Sequence, residues 1–465
     1  MGIILKGGLI ITEKESIDSD IRIDGEKIVS IGQDLYQSGD EIIDVKGCYV
    51  LPGGIDTHTH FDLDVGSTLT ADNFISGTKA AIIGGTTTIL DYATQNKGES
   101  LKIALKNQFS KTTNGCFCDF GFHMGITDWN DDVSEEISAM IEAGVTSFKL
   151  YMAYKNILQV DDGVIYKALK RCNDVKGLIC FHCENGDIID VLVDEARKNN
   201  HQAPIYHALT RPSSLEKEAI TRLLQIAEIV DIPVNIVHLS SKAGLESIIE
   251  AKKRGVKVYV ETCPQYLLLD DSFYGGKEGS GFEGAKYVMS PPLRKVSDQL
   301  ALWEAIRASE IDTIGTDHCS FNYKGQKEIG LNDFSKIPNG APGVEHRMTL
   351  MYTSGVVEKK INLNQFVALT STNAAKLFGL YPNKGTISVG SDADIVIWDP
   401  NLITEITAKN QTQNVDYTPY EGFKQIGRPI HVFLRGNKVV INTKLINPKP
   451  LGKYLHRNTY LERGN

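Results

Sequence analysis

Two hydrophobic textures divide the chain. Short apolar runs broken by turn residues occupy both ends, and longer apolar runs alternating with helical periods fill the middle. Near the N-terminus Ile3-Ile4-Leu5 and Leu9-Ile10-Ile11 flank Gly7-Gly8, and Ile21-Arg22-Ile23 runs through Asp24-Gly25 to Ile28-Val29. Apolar triplets separated by glycine turns are hairpin chemistry. The same texture returns at Gly385-Thr386-Ile387, at Asp394 to Trp398, and at His431 to Leu434 before Gly436-Asn437 and Val439-Val440-Ile441. The two ends, residues 1–52 and 384–447, are therefore expected to combine into one small β-sandwich domain.

Between them stand eight apolar runs, around 53–58, 86–92, 117–126, 145–150, 178–182, 234–239, 256–261 and 311–317. Helical patterns such as Ser134–Glu142, Ser214–Val230 and Leu245–Lys253 separate them. Strands alternating with helices predict a parallel sheet, and eight such units predict a closed α/β TIM (β/α)8 barrel over residues 53–383. The final segment, residues 448–465, has no period and no apolar face. It reads as a tail that packs on a neighbouring subunit.

At 465 residues the chain exceeds the roughly 250 of a simple barrel, which leaves room for the second domain. A net charge of -9 with no long basic run removes the electrostatic footprint of nucleic-acid binding. No apolar run reaches the ~18 residues of a membrane span, and the first residues lack the basic and apolar regions of a signal peptide. The eight cysteines follow no disulfide pattern, so a cytoplasmic protein is expected.

The chemistry lies at the ends of the predicted barrel strands. His58 and His60 sit at i and i+2 and share a face, at the barrel mouth where TIM-barrel active sites form. Alone, such a pair is weak evidence. In the fourth strand Val145, Ser147 and Lys149 share the inward face, while Thr146, Phe148 and Leu150 suit packing against helices. An unpaired ammonium inside a barrel is very costly. His182 ends the fifth strand, His238 the sixth and Asp317 the eighth, each read as inward by alternation. Four imidazoles and one carboxylate cannot balance two divalent ions. A carbamate formed from CO2 on Lys149 adds a second negative charge, bridges both ions, and with a shared hydroxide leaves an electrophilic site.

Longer strings carry a resemblance. Pro52-Gly53-Gly54-Ile55-Asp56, Ser147 to Lys155, His182-Cys183-Glu184-Asn185-Gly186, Glu261 to Leu267, Ser290-Pro291-Pro292-Leu293-Arg294 and Pro338-Asn339-Gly340, with the six candidate ligands, resemble the dihydropyrimidinases and D-hydantoinases of the amidohydrolase superfamily. The resemblance implies one ion on His58, His60, Lys149 and Asp317, and another on Lys149, His182 and His238. It implies zinc by default, with manganese or cobalt as alternatives. Tyr154 would donate to the developing oxyanion, Ser290 and Asn339 would hold the substrate's ureido edge through their backbones, and Asp317 would shuttle the proton. Val65, Tyr151 and Leu158 match the positions that meet the exocyclic substituent. The expected reaction is ring opening of 5,6-dihydropyrimidines and 5-substituted hydantoins to N-carbamoyl amino acids, by a homotetramer.

Dihydroorotase and allantoinase are the nearest rivals. Dihydroorotases resemble His-x-His-x-Arg at the first strand, where this chain has Asp62, and both rivals tend toward Cys-Pro-His where it has Cys263-Pro264-Gln265. A non-catalytic scaffold relative would have lost metal ligands, and all six are present. Cys180-x-x-Cys183, His123 and His318 are read as structural, His318 facing away from Asp317.

Overall fold

The structure, a computed structural model, describes residues 2–275 and 281–460; Met1, residues 276–280 and residues 461–465, the end of the expected tail, lie outside the described residues. Eight parallel strands form one sheet in chain order: Gly54–Thr59, Thr86–Thr94, Asp119–Gly125, Ser147–Tyr151, Leu178–His182, Val234–Ile236, Val258–Thr262 and Thr313–Ile314. The ring closes just past the eighth strand. His60 N–H donates to the His318 carbonyl at 2.8 Å, and His318 N–H to the His58 carbonyl at 3.3 Å. This is a TIM barrel.

The sixth and eighth strands are shorter than their apolar runs suggest. Asn235 and Val237 face the barrel interior, Asn235 with its amide 3.4 Å from Cys180 Sγ and Val237 packed with Leu90, Leu178 and Tyr259. Unbroken alternation would thus send His238 outward, opposite to the expectation from sequence. His238 instead adopts φ +42°, a left-handed conformation that ends the regular ladder and turns its side chain into the mouth. Asp317, φ +53°, follows its short strand in the same conformation.

The helices form where apolar residues recur at helical spacing. In Ser213–Val230 the buried Ala219, Ile220, Leu223, Leu224 and Ala227 form the stripe toward the barrel, and Asp231 in the left-handed region ends the helix. Asn130 and Ser241 cap Asp131–Glu142 and Lys242–Lys253 by accepting backbone N–H bonds.

Both chain ends meet in two further sheets. Ile395–Glu405 pairs antiparallel with Tyr49–Pro52 inside a seven-stranded sheet, and Ile3–Lys6 lies in a four-stranded one. Their facing sides share a core that includes Leu5, Ile21, Ile23, Val50, Ile395 and Phe433. A buried cluster ties this sandwich to the barrel: Lys384 bonds Asp394 at 2.7 Å and Asp119, the first residue of the third barrel strand, at 2.6 Å.

The segment expected to leave for a neighbouring subunit is laid, in its described part, along this chain's own barrel. Gly452 N–H donates to the Cys116 carbonyl at 2.7 Å, and Leu455 N–H to that of Phe120 at 2.8 Å. Arg457 is fully buried, donating to Ser147 Oγ at 2.9 Å and to the Phe122 carbonyl. Besides these backbone groups and Arg457, Tyr454 anchors the segment, its ring 4.7 Å from that of Phe109 and 5.8 Å from that of Phe122, an irregular set that leaves no apolar period in the sequence. Ending the chain at Ile446 is expected to destabilise the fold by about 3 kcal/mol or more. Calorimetry would register this as a lower unfolding midpoint, and an unchanged transition would show that the segment contributes nothing.

Candidate active site

The side chains singled out at the strand ends converge on one mouth. His58 Nε2 and His60 Nε2 each lie 3.2 Å from Asp317 Oδ1, and the three ligand atoms fall within 4.8 Å of one another. A second pair abuts the first. His182 Nδ1 faces His238 Nε2 at 3.1 Å, and the rings of His58 and His238 are 5.4 Å apart. Two imidazole nitrogens about 2.0–2.1 Å from one ion would stand roughly this far apart.

Lys149 completes the cluster. Its side-chain nitrogen is buried, has no hydrogen-bond partner among the described residues, and sits 5.4 Å from the ring centres of Tyr92 and Tyr151. Burial pushes its pKa below the ordinary lysine value, which favours a neutral, nucleophilic amine. Burial likewise lowers the pKa of His58 and, far more, that of His238. At both positions burial thus favours the uncharged imidazole, the form that coordinates a metal. Burial alone would raise Asp317, but His58, His60 and His238 around its carboxyl hold it well below the usual range. Four imidazoles, a carboxylate and an orphaned amine form a donor set that fits divalent metal ions.

Two carboxylates orient these ligands, and sequence reasoning passed over both as parts of longer strings. Glu261 Oε1 takes His58 Nδ1 at 2.7 Å, and Glu184 Oε2 takes His182 Nε2 at 2.9 Å. Each bond fixes a tautomer and aims the other ring nitrogen. Glu261 could have been found by phase, since it stands two residues beyond the inward Tyr259 on the seventh strand. Gly315 keeps the approach open: a Cβ there would stand 2.7 Å from Glu261 and 3.0 Å from His58. Tyr92 is a further residue that sequence reasoning missed. Its ring stacks on His60 at 4.9 Å and on His123 at 4.8 Å.

The structural histidines lie where their surroundings satisfy them. His123 is buried, with Nδ1 2.6 Å from Ser147 Oγ and Nε2 3.1 Å from the Thr57 carbonyl. His318 turns away from Asp317 toward Asp72, 3.1 Å distant. All eight cysteines are free.

Of the candidate substrate contacts, Tyr154 lies nearest the imidazoles, its ring 5.2 Å from that of His182, with φ +67°. Burial, followed by the Glu184 carboxylate, raises its phenol above the ordinary value, so the hydroxyl stays protonated. Ser290 is buried and Asn339 half-buried, on loops joined by the Gly340 N–H bond to the Val288 carbonyl at 3.0 Å. Tyr151 ends the fourth strand and its ring stands 6.2 Å from that of His182, so it forms the wall of the cluster rather than an overhang. Val65 is 40% exposed on the loop after the first strand, and Leu158 is half-buried after Tyr154. Asp62 caps the helix Phe74–Ile83 through the Phe74 N–H at 2.9 Å, and Asp64 closes a turn with Gly66 N–H at 2.8 Å. Neither is a free carboxylate at the mouth.

The sequence matches the Amidohydrolase family over residues 49–439. It is 47% identical over 458 residues to the D-hydantoinase of Geobacillus stearothermophilus, covering 98% of this chain and 97% of that protein. It is 38% identical over 464 residues to the D-phenylhydantoinase of Escherichia coli O1:K1 / APEC, covering 99% of each. The crystal structure of dihydropyrimidinase from Brevibacillus agri NCHU1002 superimposes with a TM-score of 0.97 at 45% identity, over 99% of this chain and 100% of that one.

Replacing Lys149 by Ala removes the amine that all other donors surround. Metal content, measured by elemental analysis after dialysis, and hydrolytic activity are expected to fall together, with partial recovery of activity in a small carboxylic acid. Retention of two ions and normal turnover would exclude the carbamate.

Proposed function

Since the chain belongs to the amidohydrolase family, and is a cyclic amide hydrolase within it, we propose that it opens the rings of cyclic ureides, 5,6-dihydropyrimidines and 5-substituted hydantoins, to N-carbamoyl amino acids. The observation that carries this reading is the buried, unpartnered amine of Lys149 among four imidazoles and Asp317. His58, His60, Asp317 and a Lys149 carbamate would hold one divalent ion, and the same carbamate with His182 and His238 the other, zinc being the default and manganese or cobalt alternatives. When bound, such ions supply a polarised ring carbonyl and an activated water.

The residues of the chain then do the rest. Asp317 accepts the proton of the attacking water on its carboxylate and returns it to the ring nitrogen as the amide bond breaks. Tyr154, protonated at neutral pH, donates to the carbonyl oxygen as charge develops there, a contribution of about 3 kcal/mol. The backbone groups of Ser290 and Asn339 hold the ureido edge. Tyr151, Val65 and Leu158 border the exocyclic substituent. A homotetramer is the assembly we assign. The free cysteines support a cytoplasmic location, and among the described residues no helix is long and apolar enough to cross a membrane.

A panel of dihydrouracil, hydantoin, 5-phenylhydantoin, allantoin and dihydroorotate tests the reading. Dihydrouracil and the hydantoins are expected to be hydrolysed, with kcat/KM for dihydroorotate lower by at least ~10²-fold, because its carboxylate would be buried without a basic partner. A preference for dihydroorotate would overturn the assignment. Asp317→Asn is expected to lower kcat by at least ~10²-fold while leaving the fold intact by circular dichroism; wild-type rates across the pH range would remove Asp317 from proton transfer.

A further inference from the structure

Behind the loops that carry Ser290 and Asn339 lie two buried donors that take no part in the metal cluster. Lys327 is fully buried, and its ammonium donates to three backbone carbonyls: Val288 at 2.9 Å, Pro338 at 2.6 Å and Gly340 at 2.7 Å. Among the described residues no carboxylate forms an ion pair with it. Three ammonium protons meet three acceptors, so the nitrogen's bonding capacity is filled. His207, 1% exposed, is within 2.8 Å of the Met289 carbonyl through Nε2. Arg211 lies 3.2 Å from Nδ1, which leaves Nε2 to carry the proton. Burial, followed by the Arg211 charge, keeps this ring neutral.

The geometry of the trans peptide turns these contacts into a statement about the mouth. In a trans unit the C=O and the following N–H point in opposite directions. The Pro338 carbonyl faces Lys327, so the Asn339 N–H points away from it. The Gly340 N–H faces the Val288 carbonyl, so the Asn339 carbonyl also points away. The Met289 carbonyl faces His207, so the Ser290 N–H points away in turn. Neither Ser290 nor Asn339 has a backbone hydrogen-bond partner among the described residues, although Ser290 is buried. Their amide groups are fixed from behind and open in front.

We propose that Lys327 and His207 are positioning residues that aim the backbone groups of Asn339 and Ser290 at the ureido edge of the substrate. This rests on the function proposed above. The hydrogen bond from Lys327 to the Pro338 carbonyl also polarises the Pro338–Asn339 peptide, which strengthens the Asn339 N–H as a donor. Because neither residue touches a metal ligand, their loss should weaken binding of the ring without emptying the metal site.

The test uses the purified, metal-loaded enzyme with hydantoin and dihydrouracil. Lys327→Met keeps the length of the side chain and removes its donors. KM is expected to rise about tenfold or more, with kcat within threefold of wild type and metal content unchanged. A folded variant with wild-type KM, or one whose kcat falls while KM stays fixed, would overturn the inference. Should Lys327→Met fail to fold, His207→Gln, which keeps an N–H donor, is compared with His207→Phe, which does not. A higher KM for the phenylalanine variant supports the inference, and equal KM values overturn it. Wild-type enzyme inert toward every cyclic ureide would count against the proposed function itself, so the two failures are distinguishable.

Discussion

The Lys149 amine is buried from solvent and has no hydrogen-bond partner among the described residues. Desolvating a full positive charge without compensation costs many kilocalories per mole, and the group responds by giving up its proton. An amine whose pKa burial lowers, set among four imidazoles and a carboxylate, is a nucleophile in place. Its position follows from strand geometry alone, since Ser147 and Lys149 share the inward face while Phe148 and Leu150 pack in the core shared with the helices. The arrangement of the mouth depends on that one inward residue.

Layers of support surround it. Glu261 and Glu184 take one nitrogen each of His58 and His182 and leave the other for coordination. Below them, His123 bonds Ser147, and Ser147 in turn accepts from Arg457 at the far end of the chain. The last described segment thus reaches the strand that carries Lys149 directly, through the bond from Arg457 to Ser147. Left-handed backbone at His238, Asp317 and Tyr154 places three of the chemical groups in conformations that side-chain-bearing residues adopt only when their surroundings enforce them. The enforcement comes from the barrel ladder and from bonds such as Leu239 N–H to the Glu261 carbonyl at 2.8 Å.

The chemistry also divides by depth. Residues that would hold ions lie in the last three positions of a strand or follow it by one to three. Apart from Tyr151 at a strand end, the groups proposed to meet the substrate lie on loops, and the proposed ureido edge would meet backbone rather than side chains. Backbone recognition suits a ureido ring, whose alternating N–H and C=O groups match those of a peptide. It also makes recognition depend on buried residues behind the loops, because a peptide group points only where its neighbours hold it.

Much of this was legible in the sequence, for physical reasons that set its limits. Strand period and strand-helix alternation gave eight barrel strands, and donors at the strand ends gave the cluster at the mouth, because both are local properties of neighbouring residues. Asp24-Gly25 and Gly436-Asn437 announced hairpins in the same way. Tertiary structure alone decided what depends on residues far apart in the chain. Alternation placed His238 inward for the wrong reason, since its direction comes from a left-handed φ imposed by adjoining strands. Arg457 and the segment around it carry no apolar period, so their burial against the barrel could be seen only once the third and fourth strands were there to receive them. Glu261 meets His58 across 203 positions of sequence, and Lys327 meets the Val288 carbonyl across 39. A sequence states which groups are available and which face of an element they occupy; which of them meet is decided by the closure of the barrel.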